Sequence, residues 1–275
     1  MKVCVILACY NRKGITKRCL TEITNQSSLL PIYEFDIYVY DDCSNDGTSE
    51  MIKKEFPQIN LISGSGGAYW CKSMHYLMNL ASKKEYDFYL MINDDVQFKG
   101  DALKIMFQSY NLATCSCGIV GSTRSIKTGK VTYGGRDKNK ELLEPNGNLQ
   151  QCYWANWNCF LIDKKVIEEV GLIDKKYQHS WGDFDYSFRM TKKEVPIYIA
   201  TDYVGMCENN SIIGTFEDKN LNRQIRLRKL FSVKGVPPYS YFRYHIKTEG
   251  ALGLLKGIYG YFSLIWYIVL NKKME

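Results

Sequence analysis

Two short segments of the sequence place carboxylates side by side at the end of a predicted buried strand. Asp41 and Asp42 close the run FDIYVYDD, and Asp94 and Asp95 close YDFYLMINDD. A turn needs polar residues, but it does not need adjacent carboxylates. Like charges gathered at one place cost free energy unless a cation or a donor-rich ligand compensates them. These acids therefore predict a ligand site, and a metal ion in particular.

The elements around these acids alternate between strands and helices across the first hundred residues. Strands are predicted at 2–10, 35–42, 59–63 and 86–95, with helical segments between them. Such alternation is typical of a parallel, doubly wound sheet, where ligands bind outside the carboxyl ends of the strands. All four ends are polar or glycine-rich. They carry Cys9, Tyr10, Asn11 and Arg12, then Asp41 and Asp42, then the glycine run 64–67, then Asn93, Asp94 and Asp95.

Each of these signals also has a simpler structural explanation. The segment DDCSNDG (41–47) has the composition of a turn and helix cap, and residues 93–95 could cap a helix that begins near Asp101. The glycine run 64–67 could form only a tight turn, and without a G-K-[ST] ending it does not resemble a P-loop. Their occurrence in order along one predicted edge favours a shared site over unrelated turns.

The regular alternation of predicted strands and helices ends after about residue 115. Strands are predicted in GIVGSTRS and KVTYGG, and NCFLIDKKVIEEVG indicates a strand leading into a helix. The segment VPIYIATDYVGMCE (195–208) predicts either a pair of strands or one bent strand.

The C-terminal region combines basic and apolar segments. Its last stretch, GIYGYFSLIWYIVL (257–270), has no formal charge, but Lys256 limits it to fewer than the roughly 20 residues that a membrane-spanning helix needs. We expect a helix that lies at a membrane interface, with a helix packed in the core as the alternative. The preceding basic residues are Arg223, Arg226, Arg228, Lys229 and Lys234.

The bulk composition describes a globular chain of 275 residues with a formal charge of +7. That charge is compatible with a polyanion, an anionic membrane surface or a phosphorylated substrate, and equally with a lysine-rich surface. The ten cysteines form no C-x-x-C pair, and the three histidines have no metal-binding spacing, so neither a zinc site nor a disulfide framework is predicted. The N-terminal apolar run is too short for a signal peptide, so we expect a cytoplasmic protein.

Four motifs, taken in order, give the sequence a family resemblance. VILACYNR, VYDDCSNDGT, MINDDV and WGDFDYSFR resemble the ordered motifs of the family 2 glycosyltransferases over roughly residues 2–215. Within the family the sequence is most similar to the rhamnosyltransferase-type enzymes of bacterial surface polysaccharide synthesis.

The resemblance implies an α/β fold of the GT-A type, with a Rossmann-like, mostly parallel sheet flanked by helices and a C-terminal helical extension. The implied domains are a glycosyltransferase domain at 1–215 and a helical, membrane-associating region at 216–275. Within the first, 1–100 would be the nucleotide-binding half and 101–215 the acceptor half.

The resemblance also implies roles for the residues at the strand ends. Asp41 would accept a hydrogen bond from the base, and a carboxylate suits the imide N–H of uracil or thymine. Asp94 would lie near the ribose or donor sugar, and Asp95 would coordinate a divalent cation, Mg²⁺ or Mn²⁺, that bridges the phosphates. The remaining residues of the nucleotide-sugar pocket would be Ala8, Cys9, Tyr10, Asn11, Arg12, Asp42, Gly66, Gly67, Trp70 and Asn93.

The catalytic base implied by the resemblance is Asp183, with Asp185 as a second candidate. Trp181 and Phe184 beside it would shield the carboxylate and raise its proton affinity. The structural alternative for Asp183 is a helix N-cap. One base and direct displacement would invert the anomeric carbon.

Three positions depart from the family pattern. Gly182 precedes Asp183 where the family often has Glu, and Asn93 replaces the first acid of a strict DxD motif. Many relatives carry a metal-binding His after the base, but the corresponding segment here contains Cys207 and Glu208. The tryptophans at 70, 154, 157 and 181 would either stack on sugar rings or fill the core.

The predicted function is an inverting, metal-assisted glycosyltransferase that uses a UDP- or dTDP-linked sugar and acts on a glycan or a lipid-linked acceptor in cell-surface polysaccharide synthesis. A sugar-nucleotide nucleotidyltransferase is one alternative, but ACYNRKG is a poor match to the Gly-rich, Arg- and Lys-bearing loop that it needs. A catalytically degenerate, membrane-peripheral binding module is another, and the intact Asp41, Asp95 and Asp183 argue against it. No nucleic-acid partner is predicted.

Overall fold

The computed structural model of the chain describes residues 1–270. Its strands are β1 (Lys2–Cys9), β2 (Glu34–Asp41), β3 (Asn60–Ser63), β4 (Phe88–Ile92), β5 (Gln97–Phe98), β6 (Gly118–Arg124), β7 (Val131–Tyr133), β8 (Gly135–Arg136), β9 (Gln150–Cys152), β10 (Trp154–Ala155), β11 (Cys159–Asp163) and β12 (Ile197–Met206). Its helices are α1 (Lys13–Ser28), α2 (Thr48–Glu55), α3 (Tyr69–Ala81), α4 (Ala102–Ala113), α5 (Lys164–Val170), α6 (Gly182–Lys192), α7 (Arg223–Phe231) and α8 (Pro238–Leu270).

One large sheet organises the described chain. Its order is β3-β2-β1-β4-β11-β6-β12-β5, with β7 beside β6 and β9 beside β12. The first four strands are parallel, β11 runs antiparallel to both β4 and β6, and β12 is parallel to β6. Because two antiparallel steps restore the original direction, β6 and β12 end at the same edge as β1 to β4. The predicted α/β class with a mostly parallel sheet is confirmed.

Both faces of this sheet are buried, as the continuous apolar run of β1 requires. Val3, Val5 and Leu7 pack into a core with residues of α1, α2 and α4. Cys4 and Ile6 point to the opposite face and pack with α3, α5 and α6. The sheet is therefore the middle of three layers, and its edge at the strand ends is where the loops with polar residues gather.

The structure decides two of the alternatives that the sequence left open. The segment 195–208 forms one strand, β12, with register shifts against β6 between Ile199 and Tyr203 and between Tyr203 and Gly205, which bend it. Residues 93–95 do not cap α4, because β5 intervenes and the helix begins after Asp101 without a side-chain cap.

The helix α8 is a hairpin of two arms and not one rod. Gly250 has a non-helical backbone (φ 63°, ψ −140°), and the rings of Tyr241 and Tyr261 lie 5.3 Å apart. Twenty residues of continuous helix would separate them by roughly 30 Å. The chain therefore reverses at Gly250 and divides α8 into a first arm (238–249) and a second arm (251–270). Gly253 and Gly260 allow the contact, since a Cβ on either would collide with the first arm at His245 or Tyr241.

The second arm is apolar on two opposite faces. Gly257, Tyr261 and Ile268 are buried against the rest of the protein. The other face is exposed to solvent and carries Leu252, Leu255, Ile258, Tyr259, Phe262 and Trp266. By length and composition α8 could cross a membrane, and 22% of its most apolar 18-residue window is buried. The core alternative for 257–270 therefore accounts for only one face; positions 271–275 of the predicted C-terminal region lie outside the described residues.

Candidate active site

The loops that follow β1 and β2 are joined to each other by hydrogen bonds from backbone N–H groups to side-chain oxygens. The N–H of Asn11 donates to Ser44 Oγ at 2.8 Å, and the N–H of Asn45 donates to Asn11 Oδ1 at 2.8 Å. The N–H of Lys13 donates to Asp46 Oδ2 at 2.9 Å. Asn11 has a positive φ of 50°, a conformation that costs free energy and persists because neighbours hold it. The edge of the predicted nucleotide pocket is thus a rigid, preformed surface.

Asp41 is buried at the end of β2, with 1% of its surface exposed. Its Oδ1 accepts from the N–H of Ser44 at 2.9 Å and from Ser44 Oγ at 2.5 Å, and its Oδ2 accepts from Ser49 Oγ. A carboxylate offers about four acceptor positions, so three are used and one on Oδ2 remains. The turn explanation for this residue is therefore confirmed, and one acceptor position on Oδ2 is not used by these hydrogen bonds.

Asp42 stabilises the start of a helix. Its two oxygens accept from the N–H groups of Ala68 and Tyr69, at 3.1 and 2.9 Å, where α3 begins. A carboxylate at a helix N-terminus satisfies free N–H groups and interacts favourably with the helix dipole. The chain reaches α3 through Gly66 and Gly67, whose φ values of 88° and 80° favour glycine.

Asp94 and Asp95 share one cation, Arg12. Arg12 Nη1 lies 3.0 Å from Asp94 Oδ1 and 3.2 Å from Asp95 Oδ2, and Thr16 Oγ1 donates to Asp94 Oδ2 at 2.8 Å. Burial raises the pKa of Asp94, while Arg12 and Thr16 oppose that rise. The two acids that follow β4 therefore face the loop after β1, as the rule for strand ends predicts.

Trp70 and Asn93 are partners of each other. The indole N–H of Trp70 donates to Asn93 Oδ1 at 2.8 Å, and the backbone N–H of Asn93 donates to the carbonyl of Asn158 at 3.1 Å. The ring of Trp70 meets Trp157 edge-on, with centroids 5.9 Å apart. Trp157 is 1% exposed, so the core explanation holds for that tryptophan. These contacts connect the start of α3 and the loop after β4 to the segment before β11.

Asp183 lies in the first turn of α6, where its carboxylate is partly buried. Its Oδ1 accepts from the N–H of Phe184 at 2.9 Å, and the Asn156 side chain and the Trp157 backbone also donate to it. Burial raises the pKa of Asp183 to about 6, and the hydrogen bonds limit that rise. The N-cap position belongs to Trp181, which has a φ of 78°. The helix-cap alternative for Asp183 is therefore wrong, and the carboxylate has a proton affinity suited to a general base.

Asp185, the second candidate base, has a structural environment. It is completely buried, and its Oδ1 lies 2.6 Å from Lys247 Nζ of the first arm of α8. Tyr177 OH donates to the same oxygen at 3.2 Å, and Arg189 Nε donates to Oδ2 at 3.0 Å. With both oxygens engaged and no exposed surface, Asp185 ties α6 to the C-terminal hairpin, which favours Asp183 as the base.

These segments meet at one edge of the sheet. Asp183 is bound by Asn156 and the Trp157 backbone, and the next residue, Asn158, accepts from Asn93, which directly precedes Asp94. The end of β12 reaches the same place, because Cys207 Sγ lies 3.9 Å from Asp95 Oδ1. Carboxylates from β4 and α6 therefore line one continuous edge, with the loops after β1, β2 and β12 around it.

Comparison with known proteins assigns the family. Residues 4–171 match the model of glycosyl transferase family 2. The chain belongs to glycosyl transferase family 2. It is therefore a glycosyltransferase, and family members with this fold use nucleotide-sugar donors.

Solved structures share the GT-A fold of this glycosyltransferase. Staphylococcus aureus TarS 1–349 in complex with UDP-GlcNAc aligns with a TM-score of 0.54 at 14% identity, over 96% of this chain and 82% of that one. The mannosyltransferase PcManGT from Pyrobaculum calidifontis, in complex with GDP-Man and Mn²⁺, aligns with a TM-score of 0.53 at 13% identity, over 99% and 76%. No curated protein sequence matches the chain.

One carboxylate of the glycosyltransferase site, that of Asp95, fits a ligand of a divalent cation. Residues 1–270 contain no group of three or more His, Cys, Asp or Glu side chains arranged to bind a metal. Asp95 is nevertheless partly exposed, and its Oδ1 has only the thiol of Cys207 nearby in the described chain. One carboxylate together with phosphate oxygens and water is an ordinary environment for Mg²⁺.

The two residues found in place of the family's metal-binding His differ in their roles. Glu208 accepts from Ser125 Oγ and from the N–H groups of Ile126 and Lys127, so it holds the turn after β6. Cys207 is buried beside Asp95, and Asn158 Nδ2 lies 3.8 Å from its sulfur. Of the pair, only Cys207 contacts the proposed metal ligand.

Several residues of the site were not assigned a role from the sequence, although Arg189 ends the motif WGDFDYSFR. Thr16 and Arg189 follow Arg12 and Asp185 by four residues on helices, a spacing that places side chains on one face and was available as a signal. Asn156 and Lys247 have no such signal, because only the tertiary fold brings β10 and the C-terminal hairpin to α6.

Proposed function

We propose that this glycosyltransferase transfers a sugar from a UDP- or dTDP-linked donor to a glycan or lipid-linked acceptor with inversion, and that it acts in cell-surface polysaccharide synthesis. The observation that carries the proposal is the placement of Asp183. This carboxylate, with a pKa of about 6, lies on the same edge of the sheet as Asp94, Asp95 and Arg12.

The donor would occupy the loops after β1, β2 and β4. The remaining acceptor position of Asp41 suits an imide N–H, and Arg12 is a ready cation for the diphosphate, because it is 44% exposed in its side chain and needs only to turn from Asp95. Asp94 would lie near the ribose or donor sugar, while Asp42, Gly66, Gly67, Trp70 and Asn93 shape the wall. A divalent cation at Asp95, Mg²⁺ or Mn²⁺, would neutralise the charge that develops on the leaving diphosphate.

The transfer step then needs one base. Asp183 takes the proton of the acceptor hydroxyl as its oxygen forms a bond to the anomeric carbon. The bond between that carbon and the diphosphate oxygen breaks, and the nucleoside diphosphate leaves with the electron pair. Direct displacement by one nucleophile inverts the anomeric configuration. Asn156 and the Trp157 N–H hold the carboxylate in place for this step.

We further propose the division of the chain into a nucleotide half (1–100), an acceptor half (101–215) and a C-terminal region that binds the cytoplasmic face of a membrane peripherally. The exposed apolar face of the second arm is the contact surface, and α7 packs beside it through Phe231 and Tyr261. Arg223, Arg228 and Lys229 are exposed on α7 and would attract anionic lipids. Arg226 does not belong to this surface, because it is buried against Tyr267.

A thermal-shift panel of UDP-, dTDP-, GDP- and ADP-linked sugars, each with and without Mn²⁺, tests the donor proposal. A ligand at about 100 times its dissociation constant stabilises the native state by about 2.7 kcal/mol. We expect stabilisation by the UDP or dTDP series and a larger shift when Mn²⁺ is present. Absence of any thermal shift across the panel would contradict the proposed function. Thermal shifts of the same size with and without Mn²⁺ would contradict the proposed cation site at Asp95.

Sedimentation with phospholipid vesicles tests the membrane proposal separately. We expect binding to anionic vesicles but not to zwitterionic ones, and loss of binding in Phe262→Ser. Leu112→Ser, at an exposed apolar position on α4 away from the hairpin, is the matched control. Equal binding of the two variants to anionic vesicles would show that the second arm does not contact the membrane.

A further inference from the structure

A cluster of unpaired polar atoms surrounds Asp183 on the acceptor side. Most buried polar groups in proteins have hydrogen-bond partners, so each exception requires an explanation. In the described chain, five buried side-chain atoms without a partner belong to residues next to Asp183. One is Trp157 Nε1, on a ring that stacks on Phe160 in the core. The other four are Arg136 Nε, Trp154 Nε1, Asn156 Oδ1 and Trp181 Nε1, and we call these four residues the acceptor cluster.

Contacts with α6 and α8 hold this cluster in place. The Asn156 side chain donates a hydrogen bond to Asp183. The rings of Trp154 and Phe184 meet edge-on with centroids 6.2 Å apart, and the ring centroids of Trp181 and Tyr244 are 4.9 Å apart. Arg136 pairs with Trp154 in the two-stranded sheet of β8 and β10. The cluster therefore combines aromatic rings, three N–H donors and one carbonyl acceptor, which is the chemistry that recognises a sugar ring and its hydroxyls.

Arg136 adds a positive charge that the protein does not neutralise. Its Nη1 donates to the backbone carbonyl of Lys140 at 2.8 Å, but no carboxylate of residues 1–270 forms an ion pair with it. Burial lowers the pKa of Arg136, and the charge of Asp183 opposes that effect from beyond ion-pair distance. Lys140 Nζ lies 5.1 Å from the ring of Trp154, so a second cation borders the same indole. A half-buried guanidinium without an ion-pair partner predicts an anionic ligand.

We propose that the acceptor of this enzyme is an anionic sugar, with a phosphate or carboxylate group bound by Arg136 and its ring held against Trp154 and Trp181. This inference rests on the proposed function, because Asp183 must deprotonate a hydroxyl of the same molecule. Lys140 contributes to attraction of the charge, and the carbonyl of Asn156 accepts from a sugar hydroxyl. The two sources of negative charge share this chemistry, and the test separates them.

Binding of three defined probes tests the proposal: glucose 1-phosphate, methyl glucuronide and neutral methyl glucoside. Each is titrated with the full chain in saturating UDP and Mn²⁺, so that the donor site is occupied, and binding is followed by tryptophan fluorescence. A charge-assisted hydrogen bond in a half-buried site corresponds to about tenfold in affinity. We expect at least one anionic probe to bind about tenfold more tightly than the neutral one, and the identity of that probe assigns phosphate or carboxylate.

Arg136→Gln should abolish this preference and leave the affinity for UDP unchanged. Arg124→Gln is the matched control, since Arg124 is exposed and stacks on Tyr203, and it should keep the preference. If Arg136→Gln does not fold, Arg136→Lys replaces it, with an expected partial loss. Equal affinity for the neutral and anionic probes in the wild type overturns the proposal, as does a preference that survives Arg136→Gln. Failure of both UDP and dTDP to bind would instead contradict the proposed function.

Discussion

The two sides of the site differ in how their polar groups are satisfied. On the nucleotide side, Asp41, Asp42 and Asp94 are buried and each accepts two or more hydrogen bonds from the protein itself. On the acceptor side, Asp183 also accepts hydrogen bonds from the protein, but Arg136 Nε and the indole N–H groups of Trp154 and Trp181 lack partners. The nucleotide side is thus built for rigidity, whereas the acceptor side holds unsatisfied groups in position for a substrate. We expect substitutions on the two sides to separate donor binding from catalysis.

Asp183→Asn should give the largest change. Removal of a general base lowers rates by about 10²–10⁴-fold, and the amide keeps the shape of the carboxylate. We expect a loss of about 10³-fold in kcat for sugar transfer with an unchanged dissociation constant for UDP, measured by calorimetry. The same substitution should also raise Tm at pH 8, because the pKa of Asp183 is higher in the native than in the unfolded state, and its buried charge is costly above pH 6.

If Asp183→Asn retains wild-type turnover, Asp183 is not the base. The expected separation between donor binding on one side and catalysis on the other would then be wrong. Asp46→Asn is the control on the nucleotide side. Asp46 holds the loop through Lys13 and Thr48, and we expect a modest loss of UDP affinity and no change in kcat at saturating donor.

Lys247→Met tests whether the acceptor side depends on the C-terminal hairpin. Lys247 Nζ lies 2.6 Å from Oδ1 of the fully buried Asp185, two residues from the proposed base, so removal of the lysine leaves a buried charge with less compensation. Breaking such a pair typically costs about 3–5 kcal/mol; we expect about 3 kcal/mol because Arg189 and Tyr177 remain. Urea denaturation measures the loss.

The matched control is Lys256→Met, which removes an exposed pair with Glu249 on the same hairpin and should cost less than about 1 kcal/mol. Equal losses of unfolding free energy in the two variants would show that the ion pair between Lys247 and Asp185 stabilises the protein no more than an exposed pair does. A larger loss in Lys247→Met, together with unchanged UDP affinity, would show that the hairpin stabilises the acceptor side.

The same contrast explains what the sequence could predict. The strand ends of the nucleotide side follow from local patterns, since an apolar run ended by Asp41-Asp42 or Asn93–Asp95 fixes both the strand and its edge. Asp183 was also predictable, through its motif. Arg136, Asn156 and Lys247 come from a short two-stranded sheet and a helical hairpin, which have no periodic signal. The chain reversal at Gly250 was not predicted from the sequence either, because a single glycine in a helical segment does not by itself indicate a turn.

The pH dependence of turnover should report the acceptor side alone. The base must be deprotonated, so kcat/KM should be half-maximal near pH 6 and fall about tenfold per pH unit below it. The dissociation constant of UDP, measured between pH 5 and pH 8, serves as the control and should change much less. An acid limb centred near 4, the ordinary value of an aspartate, would show that burial does not tune this carboxylate.

Asp41→Asn should give the smallest change and addresses the nucleotide side. The amide can preserve the turn, because its oxygen can accept from Ser44 and its NH₂ group can donate to Ser49, whose hydroxyl is able to accept. The remaining acceptor position is lost, and an NH₂ group would then face the imide N–H of uracil. We expect UDP affinity to fall about five- to tenfold with little effect on ADP, whose base has no imide N–H, and kcat at saturating donor to stay unchanged. Equal losses for UDP and ADP would mean that Asp41 only holds the turn, so that base recognition must come from elsewhere in the loops after β1 and β2.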